Sequence, residues 1–248
     1  MVADVPPPPP PLVVTDVRVA PRKVFVGRDP LRIRFAVSAD VPAARVELVA
    51  ERTRRVVRRI ALAGIPAGAV RHARWSGTTR RGEAAPDGRY RVRLVAGATR
   101  RLLGSVVVRG HMYPIRGPHR DRDGIGYFGA PRNGGRTHEG FDVNAPCGVP
   151  MAAARAGIVV RSRYDPVLYG HEVIVRGRPG GRAYRYAHLR DRPLVRRGDR
   201  VRTGQRIGYV GATGNARSVG CHLHFELRSH TGRLLDPEPF LHTWDRFG

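Results

Sequence analysis

The chain has 248 residues, 41% of them hydrophobic, enough apolar material for the cores of one large or two ordinary domains. No apolar run approaches the ~20 residues that span a bilayer, so no transmembrane segment is expected. The formal net charge of +25 is almost wholly arginine, Lys23 being the only lysine. Such charge attracts polyanions, nucleic acid or an anionic cell wall alike. Arginine in place of lysine, amid abundant Ala, Gly, Pro and Val, also reads as the imprint of a GC-rich genome. No aromatic-interleaved basic run or nucleic-acid motif is present, and no nucleic-acid partner is expected.

Taken in order, residues 1–12 hold the run Pro6 to Pro11, which favours an extended polyproline II rod and predicts a linker. Met1-Val2-Ala3-Asp4-Val5 lacks the basic start and apolar core of a signal peptide. Residues 13–109 read as a small β-sandwich. Leu31, Ile33, Phe35 and Val37 alternate with other residues, as do Val46 and Leu48, and Tyr90, Val92 and Leu94. Turn signals at Gly27-Arg28-Asp29-Pro30, Gly64-Ile65-Pro66 and Pro86-Asp87-Gly88 separate these runs. Trp75 and Tyr90 are expected in the core, and His72 on the surface. Residues 110–137 form a connecting segment, in which Asp121-Arg122-Asp123-Gly124 lacks the further acidic ligands of a calcium loop and reads as a solvated turn. Residues 138–241 alternate short β-runs with glycine turns and hold no sustained helical period. Residues 242–248 read as a short tail whose Trp244 and Phe247 pack back on the domain.

The chemistry gathers at Cys221-His222-Leu223-His224-Phe225-Glu226-Leu227. Alternation makes this a strand, and side chains two apart share a face, so His222 and His224 point one way and Leu223, Phe225 and Leu227 the other. Two imidazoles on a strand are more often ordinary histidines than ligands. Partners change that balance: His138-Glu139-Gly140-Phe141-Asp142 lies upstream and Tyr186-Ala187-His188-Leu189 lies between. A hydrolytic zinc takes three ligands from His and carboxylate and keeps a fourth position open. His138, Asp142 and one of His222 and His224 supply such a set; strand geometry alone allows either of the pair.

His138-x-x-x-Asp142, Tyr186-Ala187-His188-Leu189 and His222-Leu223-His224 together resemble the M23 (lysostaphin/LytM-like) zinc metallopeptidases, as does the glycine pattern around Gly148, Gly157, Gly198, Gly204 and Gly208. Trp75-Ser76-Gly77, Gly82 and Pro86-Asp87-Gly88-Arg89-Tyr90 resemble the FlgD-like Ig-type module. The resemblance implies an all-β protein: an Ig-like β-sandwich, then an M23-type antiparallel β domain with its catalytic core at 138–241. It implies Zn2+ held by His138, Asp142 and His224, with His188 and His222 as catalytic residues. The implied activity is hydrolysis of peptide bonds in the stem or cross-bridge of bacterial peptidoglycan. In that activity zinc-activated water attacks the scissile carbonyl and the two histidines assist. The alternative is a non-catalytic cell-wall-binding or hydrolase-activating module on the same fold. Peptidoglycan or another anionic wall polymer is the expected partner, and the location extracytoplasmic.

If the metal site forms, the segments carrying Cys147 and Cys221 converge, and a disulfide between them is expected; two buried thiols are the alternative. A disulfide suits an oxidising compartment. His171 stands where the family often has Asn and reads equally as a cleft or a surface residue. His111 and His119 precede the first ligand, and nothing in the sequence supports an inhibitory role for them.

Overall fold

A computed structural model describes residues 11–178 and 181–246. The expected proline rod falls almost wholly on residues 1–10, outside the described residues, as does Phe247. The chain divides into two compact units, one built mainly from Pro30–Arg80 and Asp87–Val108, the other from Arg109 onward with Phe25–Asp29 and Arg81–Pro86.

The first unit is a sandwich of antiparallel strands. They are β1 (Val14–Ala20), β2 (Lys23–Phe25), β3 (Leu31–Val37), β4 (Val41–Ala50), β5 (Val56–Ile65), β6 (Arg71–Trp75), β7 (Gly88–Ala96) and β8 (Thr99–Arg109). One sheet runs β1-β3-β6 and the other β2-β8-β7-β4-β5. The alternating residues that predicted strands are the ones buried: Leu31, Ile33, Phe35, Val46, Leu48, Val92 and Leu94. Trp75 of one sheet and Tyr90 of the other are both buried, with ring centroids 5.4 Å apart. His72 is exposed.

The second unit continues with β9 (Arg120–Asp121), β10 (Pro131–Arg132), β11 (Arg136–Thr137), β12 (Phe141–Asn144), β13 (Pro150–Ala152), β14 (Gly157–Asp165) and β15 (Gly170–Gly177). It ends with β16 (Ala183–Leu189), β17 (Arg200–Val201), β18 (Arg206–Tyr209), β19 (His222–Arg228), β20 (Leu234–Leu235) and a helix, α1 (Glu238–Asp245). The main sheet runs β17-β14-β15-β16-β19-β12-β9, with β20 beside β19. One face carries Phe141, Val143, Tyr184, Tyr186, Leu223, Phe225 and Leu227 into the core. The other carries the candidate site. Cys147 and Cys221 form a disulfide.

Trp244 packs back on the domain as expected: residues 242–245 complete α1, whose Leu241 and Trp244 are buried, Trp244 edge-on to Phe225 at 6.1 Å. The helix itself was not foreseen, because eight residues with two apolar anchors offer too little period to detect in sequence. One expectation is corrected: Asp121 is not in a solvated turn. Arg120–Asp121 pairs with β12, and the Asp121 carboxylate accepts from His242 Nε2 at 2.6 Å. The all-β class holds in both units. Among the described residues no helix is long and apolar enough to cross a membrane.

Candidate metal centre

Strand register brings the site together. In the β12–β19 ladder Asp142 lies directly opposite His224, and Asn144 opposite His222. Opposed residues of an antiparallel pair share a face, so the Asp142 carboxylate and the His224 ring must meet. His138 arrives from the loop before β12, its backbone N–H donating to Ala130 O at 2.8 Å. Gly140 makes room for it. A Cβ there would lie 2.6 Å from Phe225 O and 2.7 Å from His224 Cε1, so a side chain at 140 would push the ligand strand away.

The result is a triangle of donor atoms. His138 Nε2 lies 2.9 Å from His224 Nδ1, His224 Nδ1 3.0 Å from Asp142 Oδ1, and His138 Nε2 3.1 Å from the same oxygen. All three residues are buried. The remaining ring nitrogens settle the tautomers. His138 Nδ1–H donates to Tyr127 O at 2.8 Å, and His224 Nε2–H reaches Glu226 Oε1 at 3.3 Å. Each imidazole therefore turns an unprotonated nitrogen towards Asp142, and three acceptors converge on one point. Converging lone pairs repel unless a cation lies among them. A proton satisfies this in part: burial disfavours charge on His224, but its hydrogen bonds to Asp142 and Glu226 outweigh that and raise its pKa to about 9. Burial would likewise raise Asp142, yet the two imidazoles hold it far below the usual carboxylate range. Two imidazole nitrogens and one carboxylate oxygen are a donor set that fits Zn2+.

His188 and His222 stand beside this triangle, ring centroids 4.7 Å apart. His188 Nδ1–H donates to Thr213 O at 2.8 Å, and His222 Nδ1–H to Gly220 O at 2.9 Å. Their free Nε2 atoms are left for the cleft; His222 Nε2 is 3.9 Å from Asp142 Oδ2. Burial, then the neighbouring His222 and His224, push His188 down to about 3, and burial also lowers His222. His188 sits at φ +60°, a costly conformation for a residue with a side chain, of the kind found where a site constrains the backbone.

All five residues singled out in the sequence line one cavity of about 580 Å³. Arg122, Arg132 and Arg136 of the connecting segment line it too, making one wall of the cleft. His171 does not line it: its backbone N–H donates to Thr213 Oγ1, and its ring lies against Tyr164. His111 stacks on Trp244 at 4.4 Å, and His119 lies against Tyr113. Neither lines the cavity.

The sequence reading gave no role to Glu226 and its partners. Arg185 Nη1 donates to Glu226 Oε1 at 2.6 Å, and Arg185 Nε lies 3.1 Å from Glu172 Oε2, an ion pair without hydrogen-bond alignment. Arg163 Nε reaches the other Glu172 oxygen at 2.8 Å. Arg185 also lies over the Tyr169 ring at 4.0 Å. These charges alternate across β19, β16, β15 and β14 behind His224. The signal for Glu226 was its place two residues after His224 on the same strand; cross-strand Arg185 had none.

Residues 136–237 match the model of peptidase family M23, and residues 21–99 that of the FlgD Ig-like domain. The chain is 42% identical over 91 residues to Peptidoglycan DD-endopeptidase ShyC of Vibrio cholerae serotype O1, covering 37% of this chain and 20% of that protein. It is 39% identical over 103 residues to DD-carboxypeptidase/endopeptidase Mpg of Neisseria meningitidis serogroup B, covering 41% of this chain and 22% of that one. The chain thus spans about a fifth of the length of these curated relatives. Among solved structures, the catalytic domain of lysostaphin from Staphylococcus simulans aligns at 30% identity over 50% of this chain and 92% of that one, with a TM-score of 0.43. Residues 136–237 of this chain belong to peptidase family M23, and residues 21–99 to the FlgD Ig-like domains.

Proposed function

We propose that the second unit is a zinc metalloendopeptidase that hydrolyses peptide bonds of bacterial peptidoglycan outside the cytoplasm. The observation that carries this is the donor triangle, in which His138 Nε2, Asp142 Oδ1 and His224 Nδ1 lie within 3.1 Å of one another. These three residues would hold the ion. When bound, zinc supplies Lewis-acid polarisation and a water acidified towards pKa ~7.

The chain's own groups supply the rest. His188 and His222 each present an unprotonated Nε2 and can take a proton there. Each can then return it to the leaving amine. Their Nδ1 protons, held by Thr213 O and Gly220 O, fix both rings and would disperse the charge gained. Glu226 fixes the His224 ring, as a carboxylate behind a metal-binding imidazole does. The relatives named as peptidoglycan endopeptidases suggest the substrate, and the disulfide suits an oxidising compartment.

The test is zinc content together with release of soluble fragments from purified peptidoglycan. Zinc-dependent release supports the proposal. Zinc binding without release, on substrates that other wall endopeptidases digest, supports a non-catalytic wall-binding or hydrolase-activating module instead.

A further inference from the structure

The wall of the cleft built by the connecting segment carries more positive charge than the protein itself neutralises. Of the two carboxylates that line the main cavity, Asp142 is engaged by the imidazoles and Glu139 by Arg228 at 2.7 Å. Among the described residues the only carboxylate Arg132 reaches is Asp142, at 3.5 Å, and Arg136 Nε donates to Asn133 O. Arg122 has no carboxylate partner among the described residues. Its Nη1 lies 3.4 Å from His222 Nδ1, but that nitrogen's proton goes to Gly220 O at 2.9 Å, so the approach leaves the charge uncompensated.

Arg122 also holds a distinct position. A second cavity, of about 560 Å³, lies beside the first, and Arg122 and Val219 line both. The second cavity includes Arg120 and His119 and no carboxylate in its lining. A chain leaving the site past His222 would therefore cross the Arg122 guanidinium. That side chain is aimed beforehand. Its backbone N–H donates to Asp142 O at 3.1 Å, and its stem packs on Gly126, where an added Cβ would lie 2.7 Å from Arg122 Cβ. A planar guanidinium beside a half-enclosed cleft matches a carboxylate through two parallel hydrogen bonds.

We propose that Arg122 reads a free carboxylate on the substrate next to the scissile bond, on the His222 side, so that the cleft selects peptides bearing an acidic group there. This rests on the peptidase reading and names the substrate class of the same site. Arg120 adds long-range attraction in the second cavity, and Arg122 supplies the specific contact.

The experiment uses pairs of wall peptides identical except that the carboxylate flanking the scissile bond is free or converted to carboxamide. With zinc-loaded wild-type protein, kcat/KM is expected to be about ten-fold or more higher for the free acid. Arg122→Gln should abolish that preference while still cleaving the carboxamide peptide, and Arg122→Lys should restore part of it. Equal rates for the pair in wild type, or an unchanged preference in Arg122→Gln, overturn the proposal. Calorimetric binding of the same peptides separates the two readings. If nothing is cleaved but wild type binds the acid more tightly and Arg122→Gln does not, the carboxylate site stands and the hydrolase reading falls. Equal binding of acid and carboxamide by wild type removes the site.

Discussion

At His224 one imidazole serves two neighbours. Its Nδ1 joins the donor triangle and its Nε2–H is held by Glu226, which is itself clamped by Arg185 and, at 3.2 Å, by Arg228. His224→Ala should abolish zinc binding and hydrolysis together. His188→Ala should keep the zinc and lose hydrolysis by about 10²-fold or more, read by metal analysis beside a fragment-release assay. Glu226→Ala should weaken zinc about 10–100-fold in competition with a chromophoric chelator, because the ring loses its anchor and Arg185 its counter-charge. Unchanged affinity in that variant would mean the carboxylate serves only the fold. At this scale the sequence was informative about side chains of distinctive chemistry. His138, Asp142, His188, His222 and His224 could be named because few residue types bind zinc or shuttle protons. Arg122 and Arg185 could not, because the chain holds so many arginines that neither stood out; only cross-strand neighbours and the edge pairing of β9 single them out.

Between elements, the β12–β19 pair carries the geometry, since its register sets Asp142 against His224. The disulfide lies just past the last paired residues, Asn144 and His222, and closes a loop of 74 residues. Restricting the unfolded chain over such a loop stabilises a fold by about 2–4 kcal/mol. The double variant Cys147→Ser/Cys221→Ser should lose about that much in denaturant titration, and wild type in reductant should match it. A loss confined to activity, with stability unchanged, would show that the bond serves the site alone. Strands with clean alternation, such as β3 and β7, were legible in sequence. Elements of two residues, such as β9, and the eight-residue α1 were not, because so short a stretch shows no period and its placement depends on the sheet it joins.

For the molecule as a whole, a net charge of +25 makes the folded state repel itself, and the few carboxylates gain importance. In the first unit Glu47 lies opposite Arg59 and Arg93 across the sheet and is buried. Burial alone would raise its pKa, but hydrogen bonds from Arg45, Arg93 and Arg59 lower it from 4.5 to about 2. A carboxyl depressed on folding contributes stability above its unfolded pKa and loses it as pH falls through the folded one. The first unit should therefore weaken between pH 4.5 and about 2. Glu47→Gln should lower its melting temperature at pH 7 and flatten that acid limb, as followed by circular dichroism. A mutant whose acid limb superposes on wild type would show that Glu47 contributes nothing to it. The all-β class was legible from alternation and turn residues, whereas this ion cluster was not, because it is assembled from three strands.

The most direct test of the account is X-ray absorption at the zinc edge, with zinc stoichiometry, on wild type and on His138→Ala, Asp142→Ala and His224→Ala. The account predicts one zinc per chain in wild type, bound by two imidazole nitrogens and a carboxylate oxygen, and loss of the metal in each variant. Full zinc occupancy in Asp142→Ala, or a wild-type spectrum with sulfur donors, would contradict it.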